Sequence, residues 1–240
     1  MPFCIAHLNA SPDDIAFLRA ALGGTDLYVA PSSHGEALVI RGDRCDLTTS
    51  DAWHEAEVVR RAILGSLNAY ANMLRMVEVV APVSAVDDSG RGESVAATLT
   101  FNVRIKSEEG RQRLLAVISD GADTVLGRIV RIAREHADVA RVLSLLHEHD
   151  PSWSDIYLIL EIIDVNLRSN ADNMGGRDWA AIIRKGWLPG SLIRAIKRHA
   201  GYHRHAQHLY AEPKPKLSLS EARAHCKNVT RHWLEDLIKE

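Results

Sequence analysis

SVAATLTFNVRIK, residues 94–106, is the stretch that decides the fold. Val95, Ala97, Leu99, Phe101, Val103 and Ile105 hold alternate positions. A period of two is the pattern of a strand with one buried face. Met76–Val86 is a second apolar run, and Asp87-Asp88-Ser89-Gly90-Arg91-Gly92 joins the two. A polar, Gly-bearing link between two such runs predicts a β-hairpin. The apolar face of that hairpin must cover something, and residues 50–76 are the natural partner. There Trp53, Ala56, Val59 or Arg60, Ile63, Leu67, Tyr70 and Leu74 recur every three or four residues, which predicts a long helix capped by Ser50 or Asp51. Further upstream, Phe3–Leu8, Leu27–Ala30 and Glu36–Arg41 read as short strands punctuated by Gly23-Gly24 and by the turn cluster at residues 31–35. Asp13–Leu22 reads as a short helix with Ser11 as N-cap and Pro12 at its first position.

Past Ser107 the period changes to that of a helix and stays so. Glu108–Ser119, Asp123–Glu135 and Asp138–His149 are three helical segments, and Asp150-Pro151 opens a fourth with Asp as N-cap and Pro at N1. Asp178–Lys185 is a short helix stopped by Gly186, and another begins at Ser191 and runs to His199 or beyond. Ser218 and Glu221 form a capping box ahead of Leu219, Ala222, Cys226, Val229, Trp233 and Leu237, the stripe of the last helix. The expected fold class is therefore α+β. Residues 1–106 form a mixed domain with a β-hairpin and a long helix, and residues 107–240 are all helical.

The chain has 240 residues and a net charge of −2. That charge is a cancellation. Residues 181–240 hold 12 Lys and Arg against 5 Asp and Glu, and also six of the twelve histidines, whereas residues 1–180 hold 17 against 26. A basic, His-rich segment is where an anionic partner is sought. The composition excludes disordered, collagenous and low-complexity classes. No apolar run reaches the roughly 18 residues of a membrane span, and the first residues lack the pattern of a secretory signal. Cys4, Cys45 and Cys226 fit neither a disulfide framework nor a paired metal spacing. A soluble, cytoplasmic protein without a membrane partner is expected. No GxGxxG, Walker-type loop, GxSxG or HExxH occurs in the chain, and no cofactor is expected.

The candidate site is residues 194–216, RAIKRHAGYHRHAQHLYAEPKPK. His199, His203, His205 and His208 stand within a few residues of Arg198 and Arg204. Arg grips a phosphate bidentately, and His moves a proton near neutrality. Together they suffice for metal-free cleavage of an RNA phosphodiester, in which the 2′-hydroxyl attacks, His transfers a proton and Arg stabilises the charge on phosphorus. The run also fits a solvated basic loop, or RNA binding by charge with Tyr202, Tyr210, Lys214 and Lys216 adding stacking and phosphate contacts. His199 and His203 have the i, i+4 spacing of metal ligands, but no acidic residue or Cys accompanies them, so no metal is expected.

Arg198-His199-Ala200-Gly201-Tyr202-His203 resembles the Arg-(four to six residues)-His signature of HEPN domains, all-helical nucleotide-binding and often ribonuclease domains of prokaryotic defence and toxin–antitoxin systems. His205 fits the same signature at its longest spacing, and Arg204/His208 is a shorter register. Trp153, Ile156-Tyr157, Leu160-Glu161, Lys185-Gly186-Trp187, Arg204-His205-Ala206, the Leu217–Arg223 segment and Trp233-Leu234 are similar to a group of bacterial proteins with a HEPN-like C-terminal part. The likeness spans about residues 150–240. It implies a metal-independent endoribonuclease or RNA-binding protein of a defence or toxin system. The protein would be a homodimer whose two copies build one site, with an antitoxin or other protein as a further partner. Arg198, His203 and His205 would be catalytic, with His199, Arg204, His208 and Tyr202 contacting substrate. The other expectation is a non-catalytic scaffold or protein-interaction module.

Overall fold

The computed structural model describes residues 3–9, 11–22, 27–32, 35–41, 49–74, 77–80, 86–87, 96–100, 102–105, 124–147, 151–169, 179–204, 213–214 and 216–239. The fold is α+β. The chain divides into two compact units, Met1–His147 and Glu148–Glu240.

The first unit is built on strands β1 (Phe3–Asn9), β2 (Leu27–Ser32), β3 (Gly35–Arg41), β4 (Val77–Val80), β5 (Val86–Asp87), β6 (Ala96–Thr100) and β7 (Asn102–Ile105). Five of them make a mixed sheet in the order β2-β3-β1-β6-β5, in which only β1 and β6 run parallel. Its helices are α1 (Pro12–Ala21), α2 (Thr49–Leu74), α3 (Val125–Glu135) and α4 (Ala137–His147). Ser11 and Pro12 start α1 as expected, with the Ile15 N–H donating to the Ser11 carbonyl at 2.9 Å.

The hairpin pairs its two arms, but not as two unbroken strands. Val77–Val80 pairs with Asn102–Ile105 as a separate two-stranded ladder, and Val86–Asp87 pairs with Ala97–Thr98 at the edge of the main sheet. Val80 opposes Asn102 whereas Val86 opposes Thr98, so the first arm spends two more residues than the second between these pairs. That mismatch breaks the ladder and sends its halves to different sheets. The polar link at residues 87–92 lies outside the described residues beyond Asp87.

Helix α2 is the spine of this unit. Ala56, Val59, Ile63, Leu67 and Tyr70 are buried as the periodicity requires, but so are Ala62, Leu64 and Ala69. The reason is that α2 packs against β1, β4 and β6 and also against α3 and α4. At Gly65 a Cβ would stand 2.2 Å from the Leu143 carbonyl oxygen, so glycine sets how closely α2 and α4 approach. Polar ties join α2 to both α3 and α4. Glu55 pairs with Arg134, Asn68 Nδ2 donates to the Leu146 carbonyl at 2.6 Å, and Arg61 Nη1 donates to Ser144 Oγ at 3.3 Å. Glu57 accepts from Arg60 and Arg61 at 2.6 and 2.7 Å. Burial pushes its carboxyl up, but the hydrogen bonds and charges of the two guanidiniums outweigh this and hold it below its ordinary value. Helices α3 and α4 thus belong with the α+β unit through α2, whereas the sequence pattern grouped them with the helices that follow. The Glu108–Ser119 segment is outside the described residues.

The second unit holds α5 (Trp153–Ser169), α6 (Ala180–Arg184), α7 (Gly190–Arg204) and α8 (Leu219–Leu237). Helix α5 starts two residues later than expected because Ser152, not Asp150, caps it: Ser152 Oγ accepts from the Asp155 N–H, and Asp155 Oδ2 accepts from the Ser152 N–H at 2.9 Å. Gly186 (φ 71°) stops α6 with its N–H on the Ile183 carbonyl and the Trp187 N–H on that of Ile182, a Schellman closure. The capping box of Ser218 and Glu221 forms as read. Helix α5 packs against α6, α7 and α8. Among the described residues no helix is long and apolar enough to cross a membrane.

Candidate functional site

Helix α7 carries the candidate residues. Ile193, Ala195, Ile196, His199 and Ala200 form its buried face. The helix runs on through Arg204, and this regularity governs the geometry of the site. At about 100° per residue, Arg198 and His203 lie about 140° apart around the axis. Arg198 is exposed, and its Nε donates to the Arg194 carbonyl at 3.2 Å. His203 instead turns toward α5. Its ring lies 5.6 Å from that of Trp153 at an interplanar angle of 8°, and Tyr202 meets it edge-on at 5.2 Å. One chain does not bring Arg198 and His203 together on one face.

His199, expected to contact substrate, is occupied by the fold. It is 2% exposed and stacks on Trp153 at 4.9 Å, while its Nε2 accepts the Leu217 N–H at 3.2 Å. An accepting Nε2 puts the ring proton on Nδ1. This imidazole therefore anchors the chain where it enters the cap of α8. His199 and His203, spaced like metal ligands, both serve as ring partners of Trp153. Among the described residues no three His, Cys, Asp or Glu side chains are grouped to hold a metal. His205, His208 and Tyr210 lie outside the described residues.

Arg204 sits 5.7 Å from the centre of the Tyr157 ring, and Lys197 Nζ 4.5 Å from that of Trp179. Tyr157 and Trp179 themselves meet at 5.2 Å. Lys197, Trp179, Tyr157 and Arg204 thus form a cation–aromatic run along α7, each contact contributing on the order of 0.5–1 kcal/mol at such partly exposed positions. Lys197 was not singled out in the sequence, where nothing relates it to an aromatic ring 18 positions upstream. Arg194 and Arg198 are exposed, as is Arg204. With Lys197 they span an arc of about 120°, and α7 contains no Asp or Glu.

Asp164 was also missed. It is fully buried on α5, and its Oδ1 accepts the N–H groups of Ala181 and Ile182 at 2.9 and 3.4 Å. Trp179, the residue ahead of α6, has a left-handed backbone (φ 56°) and offers no side-chain cap. A carboxylate from another helix supplies it. An Asp beside Ile163 in an apolar stripe was the available signal. Glu161, also on α5, is exposed. Cys226 is fully buried, which pushes its thiol up to about 12.

No protein-family model matches the chain, and no match was found among curated proteins or among solved structures.

Proposed function

We propose that residues 148–240 form a HEPN-like RNA-binding unit whose phosphate-contacting surface is the exposed arc of α7. One observation carries this reading: Arg194, Lys197, Arg198 and Arg204 gather on one side of a helix that holds no carboxylate. Four cations without a counter-charge on their own element attract a polyanion, and Tyr202 adds a ring at the same end for base stacking. The protein would act in the cytoplasm in a bacterial defence or toxin system, with an antitoxin or other protein as a further partner.

The cleavage form of this reading needs Arg198 and His203 at one phosphate. Within one chain they diverge around the helix, so cleavage would take Arg198 from one copy and His203 from a second, as the homodimer expectation implies. A non-catalytic reading is favoured by a different observation. Trp153 stacks on both His199 and His203, and it holds the buried His199 as a packing residue while His203 stays exposed.

Both forms are tested with single-stranded RNA. Arg198→Ala should weaken binding and lower the slope of log affinity against log salt by about 0.7, the loss of one phosphate contact. Binding equal to wild type in both Arg194→Ala and Arg198→Ala removes the RNA reading. Incubation in EDTA separates the two forms. Products ending in 2′,3′-cyclic phosphate that vanish in both Arg198→Ala and His203→Ala support cleavage. Intact RNA, bound but uncut, supports a binding or scaffold role.

A further inference from the structure

A cleft of about 410 Å³ opens within the first unit between α2, α3 and α4. Its size falls within the range of small-molecule sites, roughly 300–1,000 Å³. Ala133, Ala137 and Ala140 give it a low apolar wall, and Arg61, Arg134 and Arg141 supply three guanidiniums. Glu135, an exposed residue, is the carboxylate on its lining.

The arginines are held from behind. Glu55 and Glu57 on α2 are buried, at 2% and 8% exposure. Glu55 binds the Nε edge of Arg134, and Glu57 binds the Nε edge of Arg61 at 2.7 Å. A carboxylate on the Nε edge fixes the plane of a guanidinium, which is how an arginine is oriented for a second, bidentate partner. The charges do not close. The single Glu57 carboxylate serves both Arg60 and Arg61, and Arg141 enters no ion pair among the described residues. Arg60, Arg61, Arg134 and Arg141 face Glu55, Glu57 and the exposed Glu135, an excess of positive charge that favours an anionic ligand. A phosphate monoester presents three acceptor oxygens to planar donors, and the alanine wall leaves room for a compact apolar body beside them.

We infer that this cleft binds a small phosphate monoester, with Arg61, Arg134 and Arg141 on the phosphate and the apolar body against Ala133, Ala137 and Ala140. Titration calorimetry on the full chain tests this with adenosine 5′-monophosphate and phenyl phosphate, beside adenosine and inorganic phosphate. The expected result is saturable binding of at least one ester with a Kd of about 1 mM or below, and binding of its two separate parts weaker by about tenfold or more. Arg141→Ala, at an exposed position, leaves the thermal melt unchanged and weakens the ester by about tenfold. Ala137→Leu narrows the cleft without altering charge and also weakens the ester. Absence of saturable binding for both esters overturns the proposal. So does ester binding that is the same in wild type, Arg141→Ala and Ala137→Leu.

Discussion

A single missing side chain sets how closely α2 and α4 approach. Gly65 lies in the middle of α2, where alanine is favoured over glycine by roughly 0.5–1 kcal/mol through backbone entropy. A Cβ there would meet the Leu143 carbonyl oxygen at 2.2 Å, and that oxygen belongs to a helix backbone that cannot step aside alone. Overpacking of this kind costs typically 1–3 kcal/mol or more, so the clash outweighs the propensity gain. Gly65→Ala is expected to lose about 2 kcal/mol in urea denaturation; a variant as stable as wild type contradicts the close approach of α2 and α4. At the same scale, His199 illustrates how a residue's type misleads. Imidazole chemistry suits proton transfer, yet this ring is buried between Trp153 and the Leu217 N–H. Nothing local to His199 reveals that Leu217 would need an acceptor.

Among elements, α2 carries two buried carboxylates, Glu55 and Glu57. Its Glu57 titrates below its ordinary value of 4.5 because two guanidiniums prefer the ionised form more strongly than burial opposes it. The folded value is lower than the unfolded one. The contribution of Glu57 is thus complete above about pH 4.5 and is lost as pH falls through the folded value. Asp236 on α8 also titrates below its ordinary value, with burial opposed and outweighed by Lys185 and Lys239, and so adds to the same loss in acid. Glu57→Gln is expected to cost about 2 kcal/mol at neutral pH and to make the fall in stability below pH 4.5 shallower than in wild type. Urea midpoints measured from pH 3 to 7 decide the matter; parallel pH profiles would assign the acid loss elsewhere. Helices were the most legible elements because their signals are local. The Ser218–Glu221 box, the Gly186 stop and the stripe of α8 each depend on residues within a turn or two. The start of α5 was misread because Asp150-Pro151 and Ser152 offer competing caps two residues apart, and Asp155 tips the choice by returning a bond to Ser152.

For the whole molecule, the consequential feature is where one core ends and the next begins. Helices α3 and α4 bury Leu126, Ile129, Val130, Val139, Val142, Leu143 and Leu146, and they pack on α2 in the first unit. A cut at 106/107 removes that partner and exposes their apolar faces. A cut at 147/148 leaves the contacts of both units intact. The fragment 148–240 is therefore expected to melt cooperatively by circular dichroism, whereas 107–240 should bind a hydrophobic dye and aggregate. A cooperative, monodisperse 107–240 fragment would contradict the division. Strand β7 ends at Ile105 and the next described helix, α3, begins at Val125, but periodicity reports which residues are buried, not what buries them.

By itself the sequence determined the α+β class, the existence and type of most elements, the caps of α1 and α8, and the basic character of α7. These depend on neighbours in the chain: the 2.0 and 3.6 periods, a hydroxyl three residues from a carboxylate, a glycine after a last turn. Only the tertiary structure decided that Arg198 and His203 diverge, that His199 is an anchor, that the hairpin arms part to two sheets, and that Glu55 and Glu57 orient arginines around a cleft. Each of these rests on groups brought together by folding. Arg134 reaches Glu55 across 79 positions, Arg61 reaches Ser144 across 83, and Asn68 reaches Leu146 across 78. No spacing rule spans such separations, because what sets them is the shared burial of surfaces from distant elements.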